Sequence, residues 1–118
     1  IRRAKPKNLI FSAVDALLLS SYQLGAPGAI AAILTAAPGP SVKLWNAVKD
    51  KDWETARDLH ERLMPLWDAI GVDNMPSLCK YAQQLQGLET GHARKPTSPA
   101  TEEQKETVRN ALKNLNLI

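Results

Sequence analysis

Leu9-Ile10-Phe11-Ser12 and Ala29-Ile30-Ala31-Ala32-Ile33-Leu34 are the two stretches on which the fold turns. The first is a short apolar run just after the turn residues Pro6-Lys7-Asn8, which reads as a buried strand. The second is continuous and apolar without alternation, as expected of a parallel strand covered on both faces. Between them, residues 16–24 favour helix, Asp15 stands where an N-cap belongs, and Gly25 stands where a left-handed C-terminal cap would sit. Strand, helix and strand make a βαβ unit, with residues 9–12 and 29–33 as parallel neighbours joined by a right-handed crossover. Two such strands cannot finish a sheet, because each offers an unpaired edge while being apolar on both faces. Further strands are therefore required. The end of a (β/α)8 barrel would supply a unit of this kind, and a doubly wound sheet satisfies the pattern equally.

Beyond Pro38-Gly39-Pro40 the pattern turns helical. Val42, Leu44, Trp45 and Val48 recur at helical spacing. Asp52 is placed to cap a long helix over 53–70, in which Trp53, Ala56, His60, Leu63, Trp67 and Ile70 recur at steps of three or four, widened by Leu59 and Leu66. Its Trp53, Leu63 and Trp67 side is expected to face inward, and Gly71 to end it. A further helix is expected from about Pro76 to Gly87, with Leu78, Tyr81, Ala82 and Leu85 inward. After a linker over 89–99, Thr101 and Gln104 form a capping box ahead of Val108, Ala111, Leu112 and Leu115. About four helices and no strand should thus follow residue 40.

At 118 residues and 44% hydrophobic, the chain has the size and apolar content of one packed domain. Its formal charge of +3 comes from interspersed charges without a basic stripe, which argues against a nucleic-acid role. The one basic cluster, Arg2, Arg3, Lys5 and Lys7, reads as surface. A lone Cys79 excludes an internal disulfide, and no cysteine and histidine spacing resembles a zinc site, so no metal is expected. No stretch of ~20 apolar residues is present, so a soluble chain without a membrane role is expected, in a reducing, cytoplasmic compartment. The N-terminus lacks an initiator methionine, as a fragment of a longer protein would.

The segment Ile10-Phe11-Ser12-Ala13-Val14-Asp15-Ala16-Leu17-Leu18, then Leu24-Gly25-Ala26-Pro27-Gly28-Ala29-Ile30 and Pro38, resembles the seventh and eighth strand units of the dihydrodipicolinate synthase and N-acetylneuraminate lyase family. The family pattern there is Ser-Gly-x-Asp, an apolar helix, Leu-Gly-Ala-x-Gly, an Ile-Ser turn and Asn-x-x-Pro. Asp52-Trp53-Glu54-Thr55-Ala56-Arg57, and Arg94-Lys95-Pro96 to Pro99 before Thr101-Glu102-Glu103-Gln104, are similar to its C-terminal helices. The resemblance implies an α/β chain, with the last two βα units of a (β/α)8 TIM barrel over 1–50 and a C-terminal helical domain over 51–118.

It also implies a pyruvate-dependent class I aldolase or lyase, usually a homodimer or homotetramer, that acts on small 2-keto acids through a lysine Schiff base and needs no cofactor. That lysine and a proton-relaying tyrosine fall, by the family's spacing, upstream of Ile1, in a barrel segment this chain must be joined to. No catalytic residue is therefore expected within it. Lys5 and Lys7 are no substitutes, because a Schiff-base amine needs desolvation to lower its pKa and these two sit in a polar turn.

The positions matching the family's lip, and so expected to bind substrate, are Ser12, Ala13, Asp15, Ile30 and Ala31, at the C-terminal ends of the strands where such barrels hold their chemistry. For Asp15, as the first residue before a helix, a plain cap is the favoured reading over a substrate contact. Ala13, Val14, Ala31 and Thr35 depart from the family's Gly, following residue, Ser and Asn, making the mouth less polar. That leaves sugar-acid or hydroxy-keto-acid cleavage more open than condensation with an aspartate semialdehyde. His60 and His92 lack the neighbours of a catalytic base and read as packing or surface. Trp45, Trp53 and Trp67 read as core or subunit contact, and Cys79 as a small buried hydrophobe. Alone, the piece would be inert and would expose apolar faces of Ile10, Ile30 and Ile33. The competing reading is a non-catalytic helical interaction module or an inactive truncated fragment.

Overall fold

The computed structural model describes residues 8–118; the basic cluster of Arg2, Arg3, Lys5 and Lys7 lies outside them. A single 3-10 turn, Asp15–Leu17, runs into α1 (Leu18–Gln23), and the chain continues through α2 (Ile33–Ala36), α3 (Pro38–Lys49), α4 (Trp53–Ile70), α5 (Met75–Leu85) and α6 (Glu102–Asn114). Among the described residues the only β pairing is an isolated parallel bridge between Ser12 and Ala29. The Ser12 amide donates to the Gly28 carbonyl at 3.0 Å, and the Ile30 amide donates to the Ser12 carbonyl at 2.9 Å. This is the slanted pattern of parallel neighbours reduced to one residue.

The expected strands are thus corrected in extent, though not in the sense of their pairing. Leu9, Ile10 and Phe11 are 69%, 42% and 48% exposed, not buried. Among the described residues each run pairs only with the other, and a single pair of apolar runs gains few ladder bonds. Gly28, just before the second run, packs closely on the first, since a Cβ there would stand 3.0 Å from the Phe11 ring.

The second run departs further. From Ala32 the backbone is helical (φ −67°, ψ −39°), so Ile33 to Ala36 form α2 where strand was expected. Alanine is the best helix former, and a short apolar run is ambiguous between strand and buried helix. Ile33, expected on an exposed face, is fully buried, as is Ala36. Ala37, at φ −142°, precedes Pro38 and leaves the helical region as pre-proline residues do. Pro38 then opens α3, its fixed φ suited to a first helical position.

The four later helices form where the sequence puts them. Asp52 caps α4, accepting from the Thr55 amide at 3.1 Å, and hydrogen bonding to Thr55 holds its carboxyl below the ordinary value. The buried stripe of α4 is Ala56, Leu59, Leu63, Leu66, Ala69 and Ile70. Trp53 is corrected: it occupies the first helical position, ahead of that stripe, and is 50% exposed. Leu63 is buried as expected, and Trp67 is partly buried against the core.

α6 opens with the full capping box: the Gln104 amide donates to Thr101 Oγ1 at 3.2 Å, and the Thr101 amide to Gln104 Oε1 at 3.0 Å. Thr101→Ala is expected to lower stability by about 1 kcal/mol, read as a lower urea midpoint at unchanged slope. Behind the box, Asn74 and Gln104 exchange amide hydrogen bonds of 2.9 and 3.0 Å, and Asn74 Nδ2 also reaches the Pro99 carbonyl at 3.1 Å. This seats the linker and α6 on the start of α5. All helices share one hydrophobic core running from Leu18 through Leu44, Leu63, Leu66 and Leu78 to Leu112 and Leu115.

Candidate functional site

Residues 12–15 and 29–33, the expected lip, meet at the bridge and just beyond it. Ser12 is 8% exposed; its main chain is held on both sides by Gly28 and Ile30, and its Oγ donates to Ser21 Oγ at 2.9 Å. Asp15 is 6% exposed and accepts the Ile33 amide on Oδ1 at 2.6 Å. It therefore caps a helix, but not its own: the 3-10 turn it starts has no side-chain cap, and the carboxylate serves the N-terminus of α2 instead. The structure thus joins Ser12 to Ile30 and Asp15 to Ile33. Ala13 is exposed, Ile30 is 77% exposed and Ala31 is half-buried. Polar groups are turned in and tied down, while the exposed part of the lip is apolar.

Two groups that the sequence reading did not attach to this region stand beside it. Ser21 comes from α1 and meets Ser12 only because the bridge and the helix fold together; no spacing announces it. Cys79, on α5, is buried near Thr35 of α2, whose hydroxyl donates to the Ala32 carbonyl at 2.8 Å. Burial pushes the Cys79 thiol up, the neighbouring Thr35 hydroxyl pulls it back, and the Asp15 charge pushes it up again. A thiol so placed is a poor nucleophile. It should react with a disulfide reagent at neutral pH only as fast as the native state opens, and become fully reactive in denaturant; fast reaction in the native state would contradict the burial.

No lysine lies within 12–15 or 29–33, so this lip can shape and orient a ligand but offers no amine for covalent catalysis. His60 is half-buried on α4, with its Nδ1 buried and unpartnered, and His92 is exposed in the linker; neither approaches the lip's named contacts. Among the described residues no three His, Cys, Asp or Glu side chains converge, and no helix is long and apolar enough to cross a membrane.

The Dihydrodipicolinate synthetase family matches residues 1–115. The chain belongs to that family. Among its relatives, the 4-hydroxy-tetrahydrodipicolinate synthase of Archaeoglobus fulgidus is 35% identical over 118 residues, which is 100% of this chain and 41% of the relative. That of Methanopyrus kandleri is 36% identical over 110 residues, 93% of this chain and 37% of the relative. The chain thus spans about two fifths of the length of the curated relatives it matches. Of solved structures, a monomeric dihydrodipicolinate synthase variant superposes at TM-score 0.89 with 29% identity, covering 99% of this chain and 39% of that one. A variant 2-keto-3-deoxygluconate aldolase of Sulfolobus solfataricus superposes at TM-score 0.84, covering 98% and 40%; at 20% identity it speaks for the fold alone.

Proposed function

We propose that these residues are the C-terminal part of a Schiff-base aldolase or lyase, in which 1–50 complete a (β/α)8 barrel as its last two βα units and 51–118 form the helical domain behind it. The family match along nearly the whole chain carries this reading. The distribution of apolar surface supports it: Leu9, Ile10, Phe11, Val14, Leu17, Leu24 and Ile30, all in the first 30 residues, are between 42% and 77% exposed. Clustered exposure of this kind is what neighbouring strands and helices of a barrel would cover. In the whole protein Ser12, Ala13, Asp15, Ile30 and Ala31 border the keto-acid pocket. Ser12 and Asp15 hold the backbone in register, and Ile30 and Ala31 supply apolar wall. The Schiff-base lysine and the tyrosine that moves its protons come from outside residues 1–118. The amine attacks the 2-keto carbon of pyruvate, water leaves, and the imine draws electrons from the neighbouring carbon during bond making or breaking. The protein works as a cytoplasmic homo-oligomer.

The experiment is borohydride reduction of the whole protein with pyruvate, followed by peptide mapping. Hydride addition converts the imine to a stable secondary amine, which should carry the mass of reduced pyruvate on one lysine outside residues 1–118. The absence of any adduct, or an adduct on Lys80, Lys105 or another lysine of this stretch, would overturn the assignment.

A further inference from the structure

A cavity of about 310 Å3 lies between α5, the linker and α6, on elements that carry none of the lip residues. Among the described residues its wall includes Lys80 and Tyr81 from α5, His92 and Thr97 from the linker and Lys105 from α6, and no aspartate or glutamate. Lys80 makes no ion pair with any described residue. Lys105 Nζ sits 5.9 Å from the centre of the Tyr81 ring, and the Tyr81 hydroxyl accepts from Arg109 Nη2 at 2.7 Å, so a third cation stands behind the ring.

The carboxylates that pair with these charges are not part of the wall. Glu102 pairs with Lys105 at 2.7 Å but its side chain is 90% exposed; Glu106 stands 3.3 Å from Arg109 Nε and is 61% exposed. Ion pairs so open to water are screened and readily exchanged for a better-placed anion. The wall itself is fixed. Ser77 Oγ donates to the Ser98 carbonyl at 2.7 Å, Gln84 Nε2 to the Thr90 carbonyl at 3.4 Å, and Asn74 Nδ2 to the Pro99 carbonyl at 3.1 Å. The linker is therefore held to α5 and its N-cap residue Asn74 at three points, which pre-forms this wall of the cavity.

We propose that this cavity is a binding site for a small oxyanion, a phosphate or a multiply charged carboxylate, held between the ammonium groups of Lys80 and Lys105. Ammonium groups act on such anions as point charges with three donors each, and the Thr97 hydroxyl adds a neutral donor. The volume is at the low end for small-molecule sites and suits an anion of this size. The inference is independent of the keto-acid reading, since none of these residues belongs to the lip.

The test is isothermal titration of inorganic phosphate, and separately of citrate, into the full-length protein at constant ionic strength, with chloride as the control anion. Saturable binding is expected for at least one of the two, and which one binds tells phosphate from carboxylate chemistry. Lys80→Met should weaken it about tenfold, the loss of one charge-assisted contact, while Lys80→Arg should retain most of it. Lys105→Met should weaken it to a similar degree, with circular dichroism confirming that α6 is intact after losing its Glu102 pair. Lys80 has no ion pair with a described residue to lose, so its variant tests the site with the fold undisturbed. No saturable binding of either anion, or binding that Lys80→Met leaves unchanged, would overturn the proposal.

Discussion

Asp15→Ala is expected to lower the stability of the fold by about 2 kcal/mol, while Asp15→Asn stays within about 0.5 kcal/mol of the parent. The carboxylate is buried and holds the Ile33 amide at 2.6 Å. Alanine removes the acceptor and strands a buried N–H at the start of a helix of only four residues, which has no other side-chain cap. Asparagine keeps an oxygen at the same place and gives up only the charge at the helix end. Urea denaturation of the two variants separates them. The pair also separates structure from chemistry. If Asp15→Asn in the whole protein kept its stability but lost pyruvate trapping, the carboxylate would be serving substrate as well as α2; if Asp15→Ala unfolded no more easily than the parent, the cap would be worth nothing.

Leu66→Ala should cost more, about 3 kcal/mol. Leu66 is fully buried in the middle of α4, among the largest enclosed side chains of the chain. Truncating it removes the transfer free energy of three carbons and leaves a hole that close-packed neighbours fill only in part. Leu88→Ala, at a leucine 54% exposed beyond α5, is the control and should change stability by less than about 0.5 kcal/mol. A Leu66→Ala cost as small as that of Leu88→Ala would mean that α4 is not the centre of the core. Each shift is read from the urea midpoint at constant slope.

The helical half was legible because its signals are local. Asp52 caps within three residues, Thr101 and Gln104 satisfy each other's backbone, and Leu59, Leu63, Leu66 and Ile70 repeat at the period of one helix face. Pro65 lies inside α4 without ending it; the amide it lacks would have paired with the carbonyl of Glu61, on the exposed side where water can take its place. Gly25 and Gly87 do take positive φ, 93° and 84°, just past helix ends.

The first 37 residues were legible only in outline. The parallel neighbours were found, and their order along the chain, but not how little of each run would pair. Residues 29–34 satisfy a buried strand and a buried helix alike, and the start of the helix that forms is held by the Asp15 carboxylate, 18 residues before Ile33 in sequence. The Ser12 and Ser21 hydroxyls are likewise brought together by folding, nine residues apart with no motif between them. Contacts of that kind have no period to read. The family resemblance supplied the candidate lip, and residue-by-residue reading supplied the competing role of Asp15 as a cap; it does cap, but on α2 and not on the helix that follows it.

The join between α3 and α4 bears on recombination. The two helices meet across a tight turn in which Lys51 takes a positive φ of 61°, and they share one continuous core, Leu44, Ala47 and Val48 from one side with Ala56, Leu59 and Leu63 from the other. A chimaera that crossed from one family member to another at residue 50 would cut where the chain is thin and the packing is thick. The buried side chains of the donor's α4 would have to fit an α3 they did not coevolve with. A crossover in the linker between α5 and α6 divides fewer apolar partners, but it inherits the paired amides of Asn74 and Gln104 as a matched lock and key. Ancestral shuffling in this fold would therefore leave its scars as coupled substitutions across helices, not as a clean seam along the sequence.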